Sequence, residues 1–333
     1  MAKLLPFLIL LFYTCVPCAA NAQKQASLLA GKTILLDAGH GGTAETDSFR
    51  VGPTGEREEW INLRVAQLLQ KMLEEKGANV VMTRTADVNI PLAARAQLAV
   101  DSQADVFLSV HHNATADSSV NFPIIYFHGN ASENTASVAL GLQIAQALRA
   151  KLYKGGAPAS LVSDHTIFPS AGAKVLRDTY GIPGVIAEAS FFTNAAEEGR
   201  LKKRRHNRRE ALAYVAALEA FFLQPIPAVL SKNSLVSLPP FRAFQEADRM
   251  NEAARLWYQD YLKGQALLER QDTAALQQAY ELFSRSARSF PDSFVAAKCH
   301  ENRAIILNKL GRADEAQQEA LRAREHYVQV RQD

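Results

Sequence analysis

The stretch Lys32-Thr-Ile-Leu-Leu-Asp-Ala-Gly-His-Gly-Gly42 constrains this chain more than any other. A run of β-formers delivers His40 onto a turn with glycine on both sides. Two further runs end in the same manner. Asp105-Val-Phe-Leu-Ser-Val110 delivers His111, and Gly184-Val-Ile-Ala187 delivers Glu188. In open α/β sheets ligands bind beyond the carboxyl ends of strands, so three such ends place His, His and Glu where a metal and a substrate can reach them.

The spacing around these runs predicts a three-layer α/β domain. Its sheet is mixed and mostly parallel, with helices on both faces. Strands are expected at Thr33–Leu36, Asn79–Thr83, Val106–Val110, Ile124–Phe127 and Val185–Ala187. Helical spacing occupies Ile61 to Leu73, about Pro91 to Ser102, roughly Ser132 to Leu152, and one long helix from about Glu197 to Phe222. A loop rich in Gly, Pro and Ser is expected between Leu152 and Val185. Pro225, Pro227, Pro239 and Pro240 bracket a segment without helical period, which sets a linker at 224–242. Residues 243–333 then read as a small all-α domain of helical hairpins with no strand. Leu307-Asn-Lys-Leu-Gly-Arg-Ala-Asp-Glu-Ala316 resembles a tetratricopeptide junction, and a plain helical bundle is the competing reading.

Residues 1–22 have the form of a secretory signal: Lys3, an apolar stretch from Leu4 to Val16, and Ala20-Asn21-Ala22 as a small-x-small cleavage site. Neither Cys15 nor Cys18 follows a convincing lipobox. The catalytic part is therefore expected over 23–223, exported to the periplasm, with no transmembrane segment. Loss of Lys3 leaves a small net positive charge, so overall charge selects no polyanionic partner. Cys299 is then the one remaining cysteine, which rules out an internal disulfide and leaves only nitrogen and oxygen ligands for a metal.

Catalytic zinc takes three protein ligands and keeps one position open; two histidines and a carboxylate are a common set. His40 and His111 are the best histidines for it. His112 points the other way along its strand, toward core or a supporting role. His128 follows a strand without a small-residue turn, and His165 lies in a loop that could approach the site. His206, His300 and His326 fall among charges on helices and read as solvated. The carboxylate comes from Glu56, Glu58 or Glu59 at the start of a helix, where acidic residues also suit the helix dipole, and spacing alone does not choose among them. Glu188 sits in the apolar surround Val185-Ile-Ala-Glu-Ala-Ser-Phe-Phe, where an unpaired charge is costly. Burial there raises a carboxyl toward the range of a general base.

Taken in order, these segments resemble zinc-dependent N-acetylmuramoyl-L-alanine amidases of the amidase-3 type. Four pieces carry the resemblance: Leu36–Gly42, Glu58-Glu-Trp-Ile-Asn-Leu63, Ser109-Val-His-His-Asn-Ala114 and Val185–Asn194, with Thr83-Arg-Thr-Ala-Asp87 and Arg95 between them. The resemblance covers about residues 32–222. It implies Zn²⁺ held by His40, Glu58 and His111, Glu188 as the catalytic glutamate, and peptidoglycan as substrate. Asn113 and Asn194 are implied as polar substrate contacts. His112, and Ser190-Phe191 in place of Gly-Phe, depart from the common pattern at positions that bear on substrate fit. The interval between His111 and Glu188 leaves no room for a long autoinhibitory insertion, so control is expected from the helical tail, through a protein partner or by buttressing.

Other readings are weaker. Gly39-His-Gly-Gly-Thr-Ala44 fits a dinucleotide fingerprint, but Gly52, Pro53 and Gly55 follow where a helix should open. His300-Glu-Asn-Arg-Ala lacks the second histidine of a gluzincin. The basic run Lys202–Arg209 has no interleaved aromatics and gives nucleic-acid binding no support. A wall-binding scaffold and a stem-peptide zinc peptidase are the competing functions.

Overall fold

The computed structural model describes residues 27–232, 237–244, 255–270 and 272–331. The expected signal segment lies outside the described residues. Seven strands form one mixed sheet. In chain order they are β1 (Thr33–Ala38), β2 (Asn79–Met82), β3 (Val106–Asn113), β4 (Ile124–Phe127), β5 (Ser160–Ser163), β6 (Gly184–Phe191) and β7 (Tyr327–Val328). Their spatial order is β2-β1-β3-β6-β4-β5-β7. The first four neighbours run parallel, β4 and β5 run against β6, and β7 runs against β5.

The helices of the sheet region are α1 (Glu58–Glu74), α2 (Leu92–Asp101), α3 (Thr135–Tyr153), α4 (Lys174–Asp178), α5 (Ala195–Leu201) and α6 (Arg204–Phe222). One face of the sheet packs against α1, α3 and α6 through Ile34, Leu36, Val65, Leu69, Leu140, Ile144, Tyr214 and Leu218. These apolar positions recur at helical spacing, so each helix turns one stripe inward. α2 and α4 cover the other face, together with the chain's C-terminal region.

That region consists of α7 (Trp257–Leu268), α8 (Thr273–Ser289), α9 (Ala296–Lys309) and α10 (Ala313–Glu325), packed as successive hairpins. It shares a core with the sheet. Phe107, Phe122 and Phe191 join Trp257, Tyr261, Phe283 and Phe290 in one buried cluster. Tyr126 on β4 donates its hydroxyl to Asp292.

Three expectations need correction. The region beyond 243 was expected to hold no strand, but β7 pairs Tyr327 with Val162 and Val328 with Leu161, extending the sheet of the preceding region. Two residues between α10 and the chain end give too little alternation to mark a strand; the exposed edge of β5 supplies the template. β5 itself falls inside the expected loop, because Ser160-Leu-Val-Ser163 is too short for a period. The single helix expected over Glu197–Phe222 is two. Lys203 adopts extended backbone, and the Leu201 carbonyl freed by the break accepts from Arg64 and Asn207 side chains.

Candidate metal centre

β1, β3 and β6 lie side by side and parallel, so their carboxyl ends open on one edge of the sheet. β1 ends at Ala38, and the chain turns at once. His40 adopts a left-handed conformation with φ 58°, costly for a residue with a Cβ and stabilised here by the surrounding contacts. Arg95 donates to the carbonyls of Ala38 and His40 at 2.9 and 2.6 Å, and Arg84 donates to those of Ala38 and Gly39 at 2.7 and 2.9 Å. Two guanidiniums therefore clamp the turn. Gly39 is required by close approach: any Cβ there would overlap the His111 ring.

His40, Glu58 and His111 converge. Glu58 Oε1 lies 3.2 Å from His40 Nε2 and 2.9 Å from His111 Nδ1, and the three candidate ligand atoms fall within 4.8 Å of one another. The imidazole rings meet edge to face at 4.7 Å. Glu58 is the buried first residue of α1. Of the three acidic residues that spacing left open, Glu56 pairs with Arg64 and Glu59 with Arg57, so Glu58 alone faces the histidines. Asn62 lies one turn further along α1 and donates to both Glu58 Oε1 and the Gly39 carbonyl.

Burial opposes the charge on Glu58, but the two imidazoles outweigh it and hold its carboxyl well below the usual range. Burial likewise pushes His40 down, with Glu58 only partly offsetting it. For His111 burial is overcome by its hydrogen bond to the Glu58 carboxylate and by the nearby Glu188 charge, and its pKa rises. A compact pair of imidazoles around one anionic oxygen is a donor set that suits a borderline-soft dication, with no sulfur ligand required.

Glu188 stands beside His111 in the β3–β6 register. Its Oε2 is buried and has no hydrogen-bond partner among the described residues. Burial pushes its carboxyl up to about 8, with His111 pulling the other way. Such an orphaned acceptor next to the cluster is what a water-activating group needs, because buried polar atoms otherwise find partners.

Around the centre a buried lattice fixes these positions. Asp37 accepts from Thr83, Arg95 and Ser109 directly beneath the turn. Burial raises its carboxyl, but the Arg95 charge and the Ser109 hydrogen bond leave it lowered. His112 faces away from the cluster, as expected, bonded to Asn62 Oδ1 at 2.9 Å and Glu210 Oε2 at 3.1 Å. Glu198 accepts from the backbone of Thr54 and Glu56 and from the Thr54 hydroxyl, tying down the loop that feeds α1. Asn62, Glu198 and Glu210 went unremarked in the sequence because each acts through a partner distant along the chain.

Asn113 ends β3 and turns its Oδ1 to the Ala114 amide. Asn194 caps α5: its Oδ1 accepts from the Glu197 amide and its Nδ2 donates to the Ser118 carbonyl. Four histidines depart from expectation. His206, His300 and His326 are buried rather than solvated. His206 pairs with Glu197 and His300 with Glu319, carboxylates that a helical wheel of one helix does not reveal. His165 does not approach the centre; it sits with His128 and Asp164 at another corner.

A cleft of about 550 Å³ opens over His40 and His111, walled by Asn89, Leu92, Phe168, Val175 and Ile186. The segment following Gly42 runs through turns before α1 begins at Glu58, which is unlike a dinucleotide-binding loop.

A family model described as N-acetylmuramoyl-L-alanine amidase, Amidase_3, matches residues 34–220, and the chain belongs to that family. The probable cell wall amidase LytH of Staphylococcus aureus is 30% identical over 212 residues, which is 63% of this chain and 65% of the relative. The chain thus spans just under two thirds of that relative's length. Among solved structures, amidase AmiC2 of Nostoc punctiforme superposes with a TM-score of 0.51 at 22% identity, covering 59% of this chain and 99% of that one. The CwlD amidase of Clostridioides difficile, solved in complex with the GerS lipoprotein, gives 0.51 at 24% identity, covering 58% and 99%. These two likenesses extend over the sheet region and establish its fold.

Proposed function

We propose that the chain is a zinc-dependent N-acetylmuramoyl-L-alanine amidase that hydrolyses the amide between the lactyl group of N-acetylmuramic acid and L-alanine of the stem peptide. The observation that carries this is the convergence of His40, Glu58 and His111 at one sheet edge with the unpartnered Glu188 carboxylate in register beside His111. Family membership supplies the reaction class.

His40, Glu58 and His111 are the residues that would hold Zn²⁺. When bound, the ion supplies a Lewis acid and lowers the pKa of a coordinated water. Glu188 takes the proton of the attacking water on its free Oε2 and returns it to the departing L-alanine amine. Its raised pKa suits both halves of that transfer, since a stronger acid would release the proton too early. Arg84 and Arg95 fix the His40 turn, and Asn62 aims Glu58, so the ligands are set before substrate arrives. Leu92, Phe168 and Ile186 give the cleft beside His40 and His111 apolar walls. Of the two candidate polar contacts, Asn113 lies two residues beyond His111 at the end of β3. Asn194, with both polar ends engaged, shapes the loop it caps.

The enzyme acts outside the cytoplasm, where peptidoglycan lies, and the periplasm is the compartment we infer from the signal-like first 22 residues. Among the described residues no helix is long and apolar enough to cross a membrane. The hairpins α7–α10 are tetratricopeptide-like in sequence and leave Tyr258, Leu262 and Ile305 exposed, which suits a protein partner.

Purified peptidoglycan digested by the zinc-loaded protein tests the assignment. Intact stem peptides with free L-alanine amino termini are expected by mass spectrometry, and chelation should stop their release. Cuts inside the stem would make the protein a peptidase, and binding without release would make it a scaffold.

A further inference from the structure

The reversal of β4 and β5 gives the sheet a second set of open strand ends. Because both run against β6, their carboxyl ends lie at the edge opposite the metal centre. His128 follows β4, and Asp164 and His165 follow β5. α10 and β7 close the same corner and bring Arg322 and His326 to it. A cavity of about 450 Å³ lies between them.

His128, Asp164 and His165 have donor atoms close enough for a metal, but the Asp164 carboxylate is already engaged. His128 Nδ1 bonds Asp164 Oδ2 at 2.8 Å, and the same oxygen accepts the Ala173 amide at 2.7 Å. Gly172 packs so tightly that a Cβ would fall 2.6 Å from His128 Nδ1. This pair is a latch for the loop leading to α4. Cations also surround it, which disfavours a further positive ion.

The cavity is better suited to negative charge. Arg322 is 5% exposed, donates one NH2 to the Pro239 carbonyl at 2.7 Å, and has a buried Nε with no partner among the described residues. A buried guanidinium N–H without an acceptor is costly and rare. Arg177 and Lys232 line the same cavity, with Lys232 Nζ 3.3 Å from the Arg177 carbonyl. Glu133 is the carboxylate among the lining residues, and burial raises its pKa. Burial and the Arg322 charge push His326 down to about 3, and burial pushes His165 down too, so both rings stay neutral and can donate one N–H each.

We propose that this corner, remote from the metal centre, is a binding site for a phosphate-type oxyanion, held by Arg322, Arg177 and Lys232 with His165 and His326 as further donors. Arg322, Arg177 and Lys232 line the one cavity, with Arg177 also paired to Asp178 at 3.4 Å, and an excess of cations favours a dianion over a singly charged carboxylate. Because Arg322 and His326 belong to the C-terminal region and His165 to the sheet, the anion would bridge the two.

The test is titration of the full zinc-loaded chain with inorganic phosphate, followed by the imidazole NMR signals of His165 and His326. Saturable shifts of both are expected in the millimolar range. Arg322→Gln should weaken binding about tenfold or more through loss of a charge-assisted donor. Because Arg322 also holds Pro239, Lys232→Gln, at an exposed position, is the second variant, expected to weaken binding a few-fold. Acetate should bind less tightly than phosphate. Diethyl phosphate binding as well as the free ion would point to a phosphodiester polymer as source, and its exclusion to free phosphate or a monoester. The proposal is overturned if neither histidine responds saturably, if both variants bind phosphate as the parent does, or if acetate binds as tightly.

Discussion

Three side chains and one orphaned oxygen define the centre, and each makes a separable contribution. Glu188→Gln keeps the shape and removes the base, so zinc content should be unchanged while product release falls by about 10²–10⁴-fold. His111→Ala and Glu58→Gln should instead lower zinc content, read by metal analysis of the dialysed protein, because each removes a ligand. Most of this was legible. A strand ending in Gly-His-Gly, a second strand ending at His111 and an acid in an apolar run are local signals that nominate His40, His111 and Glu188 as candidates, and the fold brings the three to one sheet edge. Spacing alone left Glu56, Glu58 and Glu59 open and the family resemblance implied Glu58; the packing of α1 against β3 is what turns that carboxylate toward the histidines. Asn62 was hidden because, besides Glu58 one turn away, its partners Gly39 and His112 lie far from it in the chain.

At the level of elements, the long parallel strands and the helices between them follow from hydrophobic period, whereas β5, β7 and the α5–α6 break do not. Each of these depends on a neighbour: an open edge, or side chains that absorb a freed carbonyl. The α5–α6 junction also carries a buried ion pair, Glu197 with His206 at 2.9 Å. Burial raises the Glu197 carboxyl, but the His206 hydrogen bond and charge overcome this and bring it down to about 2 from the usual 4.5. A depressed carboxyl stabilises the fold above its unfolded value and loses that contribution as pH falls through its folded value. Between about pH 4.5 and 2 the parent should therefore lose up to about 3 kcal/mol from this group. Urea unfolding across that window is the measurement. In Glu197→Gln the loss should be shallower, with lower stability at neutral pH.

Viewed as a whole molecule, the chain is one sheet with its second face closed by α7–α10 rather than an enzyme with a loose appendage. Composition beyond the prolines revealed the helices but not their docking, since the aromatic residues that join the two regions lie far apart in sequence. Phe290→Ala should cost about 3–5 kcal/mol, seen as a shift of a single unfolding transition, because Phe290 packs in the cluster shared by Phe122, Phe191 and Trp257. Removal of residues 243–333 would strip Phe122 and Phe191 of their contacts with Phe290 and should leave an aggregation-prone protein. The central claim is that a metal held by His40, Glu58 and His111 acts with Glu188 on the amide joining glycan to peptide. Its most direct test is a side-by-side digest of peptidoglycan by zinc-loaded parent and Glu188→Gln, with zinc content measured on the same samples. Equal zinc in both, with L-alanine-terminated stem peptides released by the parent alone, is the expected result. Release undiminished in Glu188→Gln would contradict it.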